Sequence, residues 1–325
     1  MIKGGSNDMK PVIAFPFRHH ASLVSQEAKQ MLLDAGFDIV CNDTGEKLSW
    51  EDQLKMIENA FGIVAGTEKY DAEMLSHCNN LKVIIRFGVG TDNFDLEAMK
   101  KFGIKVGVIA NHNAVAEFAL TLILSVMKNI PAYDDEVRKA GWRRYPMWEL
   151  SGKTVGVIGM GRIGHRFCEL LKGFNVRILV HDPYLTADYI ESAGGVQVEF
   201  DELLMQSDII SLHIPANIET RHIINKESIS KMKDGVFLIN TSRGALIDET
   251  ALIEALHSGK IRGAGLDVYE QEPVTPGNPL YESNNTVLAP HVSALTYETN
   301  YNAGLTCARS MINVLNGGDP VYPVR

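Results

Sequence analysis

Short apolar runs alternate with amphipathic stretches almost from end to end of the chain. Val12-Ile13-Ala14-Phe15 predicts a strand, and the spacing over 26–35, closed by Gly36, predicts a helix. Ile39-Val40 opens a second strand. Helical spacing follows at 51–60, 71–78 and 96–102, the last with Gly103 as its C-cap. Strands fit 62–66, 83–85 and 105–109 between and after them. Apolar runs separated by helical segments imply βαβ units, because parallel neighbours need a crossover rather than a tight turn.

The pattern then changes. Residues 114–128 predict a long helix that stops at Asn129-Ile130-Pro131, where proline removes a backbone donor. The stretch up to about residue 150 has no clear period and carries Trp142, Arg143, Arg144 and Trp148. It predicts an arm or linker. From Thr154 the alternation resumes, with strands at 154–158, 176–180, 209–212, 236–239 and 263–266. Helices fit 200–205, 226–231, 249–258 and a final segment at 296–315. The expected fold is α/β, with two doubly wound parallel-sheet domains.

Composition narrows the partners. The 325 residues leave room for two domains, and 45% apolar with 22% charged residues is a soluble globular balance. A formal net charge of −9 argues against a nucleic-acid partner, which would need a basic surface. The apolar run at 114–127 is interrupted by Glu117 and Thr121 and falls short of the roughly 20 residues of a membrane span. Residues 1–8 lack the apolar centre of a signal peptide. Cys41, Cys78, Cys168 and Cys307 form no C-x-x-C pair and no His-rich cluster. We therefore expect core thiols, no metal, no membrane partner and a reducing, cytoplasmic setting.

The most specific motif is Gly159-Met160-Gly161-Arg162-Ile163-Gly164, directly after the apolar run 154–158. In a dinucleotide-binding unit, the first glycine makes the strand-to-helix turn. The second lets backbone approach a pyrophosphate, and the third lets helix and strand pack closely. Asp182 stands at the end of the next strand, close to the spacing of about 20 residues expected for an acid that meets the ribose hydroxyls. A carboxylate there repels a 2′-phosphate, and Pro183-Tyr184-Leu185-Thr186 offers no cation to neutralise one. The expected cofactor is NAD.

Polar residues close several later strands. Arg243 follows Asn240-Thr241-Ser242, Asp267 follows Ala264-Gly265-Leu266, and His291 follows Val287-Leu288-Ala289-Pro290, with Glu272 in the loop after Asp267. Ligands of doubly wound sheets bind beyond the carboxyl ends of strands. Reduction of a 2-oxo acid needs a cation for the carboxylate and carbonyl, a proton donor for the forming alkoxide, and a carboxylate that stabilises an imidazolium. Arg, His and Glu supply these in turn. A second glycine loop, Arg86-Phe87-Gly88-Val89-Gly90, follows the strand at 83–85; its backbone is either an anion nest or an ordinary tight turn.

With these blocks in order, the chain resembles the D-2-hydroxyacid dehydrogenases, on their phosphoglycerate-dehydrogenase-like branch. The resemblance rests on the glycine runs at 86–93 and 152–164, Ser207-Asp208-Ile209-Ile210-Ser211-Leu212-His213-Ile214-Pro215, and the blocks around Arg243, Glu272 and His291. It spans nearly everything from residue 10 onward. It implies that Arg243 clamps the substrate, that His291 is the acid/base and that Glu272 pairs with it. It places Asp267, Thr241 and Ser242 on the nicotinamide side, Arg162 and Ile163 over the pyrophosphate, Asp182 on the ribose, and His213 and Pro215 beside the cofactor. Gly88, Val89 and Gly90 would hold the substrate carboxylate, with Asn111 nearby and Arg86 as a source of charge.

The family pattern further implies a Rossmann-type NAD-binding domain at 111–290 and a flavodoxin-like substrate-binding domain made of 9–110 and 291–325, with a cleft between them. It also implies a homodimer formed through the cofactor domain and the 112–150 arm. Where phosphoglycerate enzymes carry Val-Arg-Ser, this chain has Val64-Ala65-Gly66-Thr67. Phosphoglycerate, glyoxylate, hydroxypyruvate and other 2-oxo acids therefore all stay open as substrates. The chain ends at Arg325, so a short form without a regulatory domain is expected. A non-catalytic NAD-sensing protein on the same fold is the alternative of another class.

Overall fold

The computed structural model describes residues 10–17, 25–109, 112–283 and 285–324. The chain divides into two compact units, Met1–Asn111 with Leu295–Arg325, and His112–Ala294. His291, expected to open the returning segment, lies in the second unit.

The first unit is built on five strands, β1 (Val12–Phe15), β2 (Asp38–Cys41), β3 (Gly62–Ala65), β4 (Val83–Arg86) and β5 (Lys105–Val108). Their order is β2-β1-β3-β4-β5, and every pairing is parallel. This is the flavodoxin-like order. Helices α1 (Gln26–Asp34), α2 (Trp50–Ile57), α3 (Ala72–Ser76) and α4 (Leu96–Lys101) make the crossovers. Side chains of Ser25, Ser49, Asp71 and Asp95 cap their first turns, which is why each helix begins where it does. Alternate strand residues feed two cores: Ile13, Phe15, Val83 and Ile85 on one face, Ala14, Ile63 and Ile84 on the other. Burial on both faces explains the continuous apolar runs. The C-terminal helix Tyr297–Leu315 belongs to this unit and puts Ala303, Ala308 and Met311 into the first of those cores.

The second unit carries seven parallel strands, β6 (Thr154–Ile158), β7 (Arg177–His181), β8 (Gly195–Gln197), β9 (Ile209–Leu212), β10 (Val236–Asn240), β11 (Ile261–Leu266) and β12 (Thr286–Leu288). The order is β12-β11-β10-β9-β6-β7-β8. Counted from β6, this is the dinucleotide-binding order with one strand added. The chain winds one way through β7 and β8 and the other way from β9 onward. The switch point between β6 and β9 is therefore where a ligand crevice is expected.

Its helices are α5 (His112–Met127), α6 (Ile130–Arg138), α7 (Arg162–Leu171), α8 (Ala187–Ser192), α9 (Phe200–Gln206), α10 (Lys226–Lys231) and α11 (Glu249–Ser258). The sequence did not foresee α6. Pro131 falls in its first turn, where no backbone donor is needed, so it starts a helix as well as closing the previous one. None of the residues of α6 is buried. Trp142 is 78% exposed and Trp148 only half-buried, so neither is a core residue. The short edge strand β8 was missed for a related reason, since two of its three residues face solvent.

Among the described residues, no single helix is long and apolar enough to cross a membrane; α5 and α6 reach that length and composition only as a pair bent by 60°.

Candidate active site

The glycine turn is shaped by close contacts. Gly159 has φ +87°, and a Cβ there would strike Ile214 and the carbonyl of His213. A Cβ on Gly164 would strike the carbonyl of Gly159. Gly161 differs: a Cβ there would meet nothing within 4 Å. Gly161 is also the N-cap of α7, and among the described residues no side chain caps that helix. The start of α7 thus pairs an open approach with the positive end of a helix dipole, the requirements for a bound phosphate.

Asp182 is tied to this turn. Its Oδ2 accepts from the Met160 N–H at 2.9 Å and its Oδ1 from the Tyr184 N–H at 3.0 Å. An ionised carboxylate offers about four acceptor sites, so two backbone bonds leave capacity for a ribose diol. Across the switch point, His213 follows β9, and its Nε2 lies 2.9 Å from Ser211 Oγ. Its ring packs 4.8 Å from that of Phe167. Burial of the ring holds its pKa down at about 3, so the imidazole is neutral. Among the described residues, two buried polar atoms here find no partner, His213 Nδ1 and Thr241 Oγ1. Ser242 Oγ donates to the Leu212 carbonyl at 2.6 Å, and Pro215 is exposed. An uncapped helix start, an open glycine and orphaned polar atoms beyond parallel strands all suit a bound dinucleotide.

Arg243 owes its place to Asn240, a fully buried residue that the sequence reading passed over. Asn240 Nδ2 donates to the Arg243 carbonyl at 2.8 Å, and its Oδ1 accepts from the Ser242 N–H at 2.9 Å. The signal was available, because an Asn that bonds its own backbone two residues on marks a turn. Gly244 lets this turn press onto the next: a Cβ would strike the Tyr269 carbonyl. Arg243 is thereby brought near the loop of Glu272, whose carboxyl feels its charge.

Asp267 is buried, and its two oxygens accept from the N–H groups of Val292 and Ser293, each at 2.8 Å. Its carbonyl accepts from the His291 N–H at 2.8 Å. These bonds hold His291 in a left-handed conformation, φ +55°, which a residue with a side chain adopts only when its surroundings enforce it. His291 Nδ1 then lies 2.7 Å from Glu272 Oε2, while Glu272 Oε1 accepts from the Tyr269 N–H at 3.0 Å. Burial pushes the Glu272 carboxyl up. The bond and charge of His291, the Tyr269 bond and Arg243 outweigh it and leave the carboxyl below its ordinary value. An ionised carboxylate only accepts, so Nδ1 carries the proton and Nε2 is the working end of the ring.

A scan against family models finds the D-isomer specific 2-hydroxyacid dehydrogenase, NAD-binding domain, over residues 120–293. The chain belongs to this family. Its second unit carries the family's NAD-binding domain. A D-3-phosphoglycerate dehydrogenase of Archaeoglobus fulgidus is 38% identical over 98% of the chain, which spans only 58% of that relative. A glyoxylate reductase of Thermofilum pendens is 42% identical over 78% of both chains. The crystal structure of a glyoxylate reductase from Paecilomyes thermophila superposes with a TM-score of 0.87 at 29% identity, covering 97% of this chain and 98% of the other.

The remaining expected site residues lie in the first unit. Arg86 ends β4, and Gly88, Val89 and Gly90 form the loop after it, with Val89 exposed. Asn111 lies outside the described residues. Within the second unit, Arg243, Glu272 and His291 converge, and so do the glycine turn, Asp182 and His213. Among the described residues no three His, Cys, Asp or Glu side chains are grouped as a metal site.

Proposed function

We propose that the chain interconverts a short D-2-hydroxy acid and its 2-oxo acid with NAD. The observation that carries this is the His291–Glu272 pair, held by the Asp267 bonds beyond β11 and β12 in the unit that bears the glycine turn. The bound nicotinamide gives or takes the hydride. Arg243 presents a fork of donors to the carboxylate and carbonyl of the substrate. His291 Nε2 protonates the oxygen of the carbonyl as it becomes a hydroxyl, and removes that proton in the reverse direction. Glu272 keeps Nδ1 protonated and stabilises the imidazolium.

The same proposal assigns Gly159, Gly161, Arg162, Ile163 and Gly164 to the pyrophosphate and Asp182 to the ribose. Thr241, Ser242 and Asp267 fall to the nicotinamide end, His213 and Pro215 border the cofactor, and the amides of Gly88, Val89 and Gly90 fall to the substrate carboxylate. An unphosphorylated substrate is favoured, because Ala65-Gly66-Thr67 carries no cation and Glu68, just beyond, is a buried acid. The curated relatives divide between D-3-phosphoglycerate dehydrogenases and glyoxylate reductases. Initial rates with NADH on glyoxylate, hydroxypyruvate and phosphohydroxypyruvate decide between them. A phosphohydroxypyruvate preference would overturn the unphosphorylated substrate, and silence on the whole panel would overturn the activity.

We also infer a homodimer. The arm exposes Ile130, Val137, Trp142, Tyr145 and Met147, apolar side chains that an interface between two copies would cover. Sedimentation equilibrium giving the mass of one chain would refute this.

A further inference from the structure

The loop after β4 is braced from within its own unit. Arg86 donates from Nε to the Gly90 carbonyl at 3.1 Å and from Nη1 to the Phe87 carbonyl at 2.9 Å. In a trans peptide, a carbonyl and the next N–H point opposite ways. Drawing these two carbonyls to the guanidinium therefore turns the N–H groups of Gly88 and Thr91 away from it. The Gly88 carbonyl accepts from the Ile109 N–H at 3.1 Å, which turns the Val89 N–H away from Ile109 in the same manner. No described residue accepts a hydrogen bond from the N–H groups of Gly88, Val89, Gly90 or Thr91. The guanidinium also lies against Gly88, where a Cβ would stand 3.1 Å from Arg86 Cζ.

Glu68 anchors the other side of this brace. It is only 8% exposed, and its Oε2 accepts from the Gly66 N–H at 2.8 Å. Burial outweighs its backbone bonds, the charge of Arg86 and, more weakly, Lys47, and leaves its carboxyl above the ordinary value. A buried carboxylate is costly unless a cation stays with it. Asn93 Nδ2 donates to the carbonyls of Glu68 and Gly66, at 2.5 and 3.3 Å, and so ties the loop after β3 to the loop after β4.

We propose that Arg86 and Glu68 are positioning residues: together they fix the loop 88–91 so that N–H groups turned away from these bonds, those of Gly88, Val89 and Thr91, receive the substrate carboxylate. Arg86 acts through the backbone carbonyls it gathers, not as the counter-ion of the substrate. This rests on the substrate-loop assignment above, so the test separates the two. In the wild-type protein with NADH and oxamate, a 2-oxo acid analogue, hydrogen exchange at residues 88–91 should slow. Arg86→Lys keeps the charge but cannot span two carbonyls, and should raise the KM for glyoxylate about tenfold. Glu68→Gln should raise it about threefold. In both, kcat should stay within about twofold of wild type and the Kd for NADH should not move.

A wild-type KM in both variants, with exchange protected as expected, overturns the brace alone. Absence of protection in the wild type overturns the loop assignment and the brace with it. Losses of kcat and NADH affinity in step with KM would mark a merely structural role and also overturn it. If Arg86→Lys does not fold, the isosteric Glu68→Gln carries the same test.

Discussion

His291 Nδ1 and Glu272 Oε2 are 2.7 Å apart, across a loop that leaves β11 and returns through β12. The bond fixes which nitrogen of His291 faces the substrate, and so which group moves the proton. His291→Ala should lower kcat by roughly 10²–10⁴-fold while the Kd for NADH, measured by fluorescence titration, holds. Equal losses in both would mean that His291 supports the fold rather than the reaction. Glu272→Gln keeps the shape and removes the charge. It should lower kcat by about tenfold or more, with a smaller change in KM.

The same pair makes an acid-stability prediction. The Glu272 carboxyl is held below its ordinary value of 4.5 in the folded chain, despite the opposing effect of burial. Its contribution to stability is therefore complete above pH 4.5 and is lost as pH falls through the folded value. Urea denaturation should show wild type more stable than Glu272→Gln at pH 7, with the gap closing in acid. A gap that widens in acid would show that the carboxyl is not stabilised by its partners.

Gly161 and Gly164 are two residues of one motif with opposite sensitivities. A Cβ on Gly161 points into open space, so Gly161→Ala should lower the melting temperature of the free protein only by the small cost of Ala at an N-cap. It should weaken NADH binding about tenfold, because the methyl occupies the approach to the helix start. Gly164→Ala forces a Cβ against the Gly159 carbonyl and should destabilise the free protein by about 1–3 kcal/mol. Calorimetry of both variants, with and without NADH, checks the contrast.

His213 supplies a pH signature of its own. Burial holds it at about 3 against an ordinary 6.5. Between those values the unfolded chain binds a proton that the folded chain does not. Stability therefore falls as pH drops from 6.5 toward 3, by an amount on the order of a few kcal/mol. In His213→Asn, the stability lost between pH 7 and pH 5 should be smaller than in wild type. An unchanged loss would place the acid sensitivity elsewhere.

Much of this was legible in the sequence because parallel strands buried on both faces read as continuous apolar runs. Val12–Phe15, Ile209–Leu212 and Val236–Asn240 stand out for that reason. The glycine motif was legible because each glycine answers a local backbone demand. What escaped were features defined only in three dimensions. The helix Ile130–Arg138 buries none of its residues, and Pro131 in its first turn reads from sequence as a stop. Asn240 and Gly244 stand in the block around Arg243, but the backbone atoms they serve, like those that Glu68 holds, come near only on folding. The left-handed backbone of His291 is likewise imposed by Asp267, across two strands.

The most direct test of the whole account is turnover by the purified protein with NADH and a panel of short 2-oxo acids, followed by chiral analysis of the product. We expect NADH oxidation coupled to formation of the D-2-hydroxy acid, abolished in His291→Ala. NADH that binds with ordinary affinity but is never oxidised on any member of the panel would contradict the dehydrogenase and leave an NAD-sensing protein in its place.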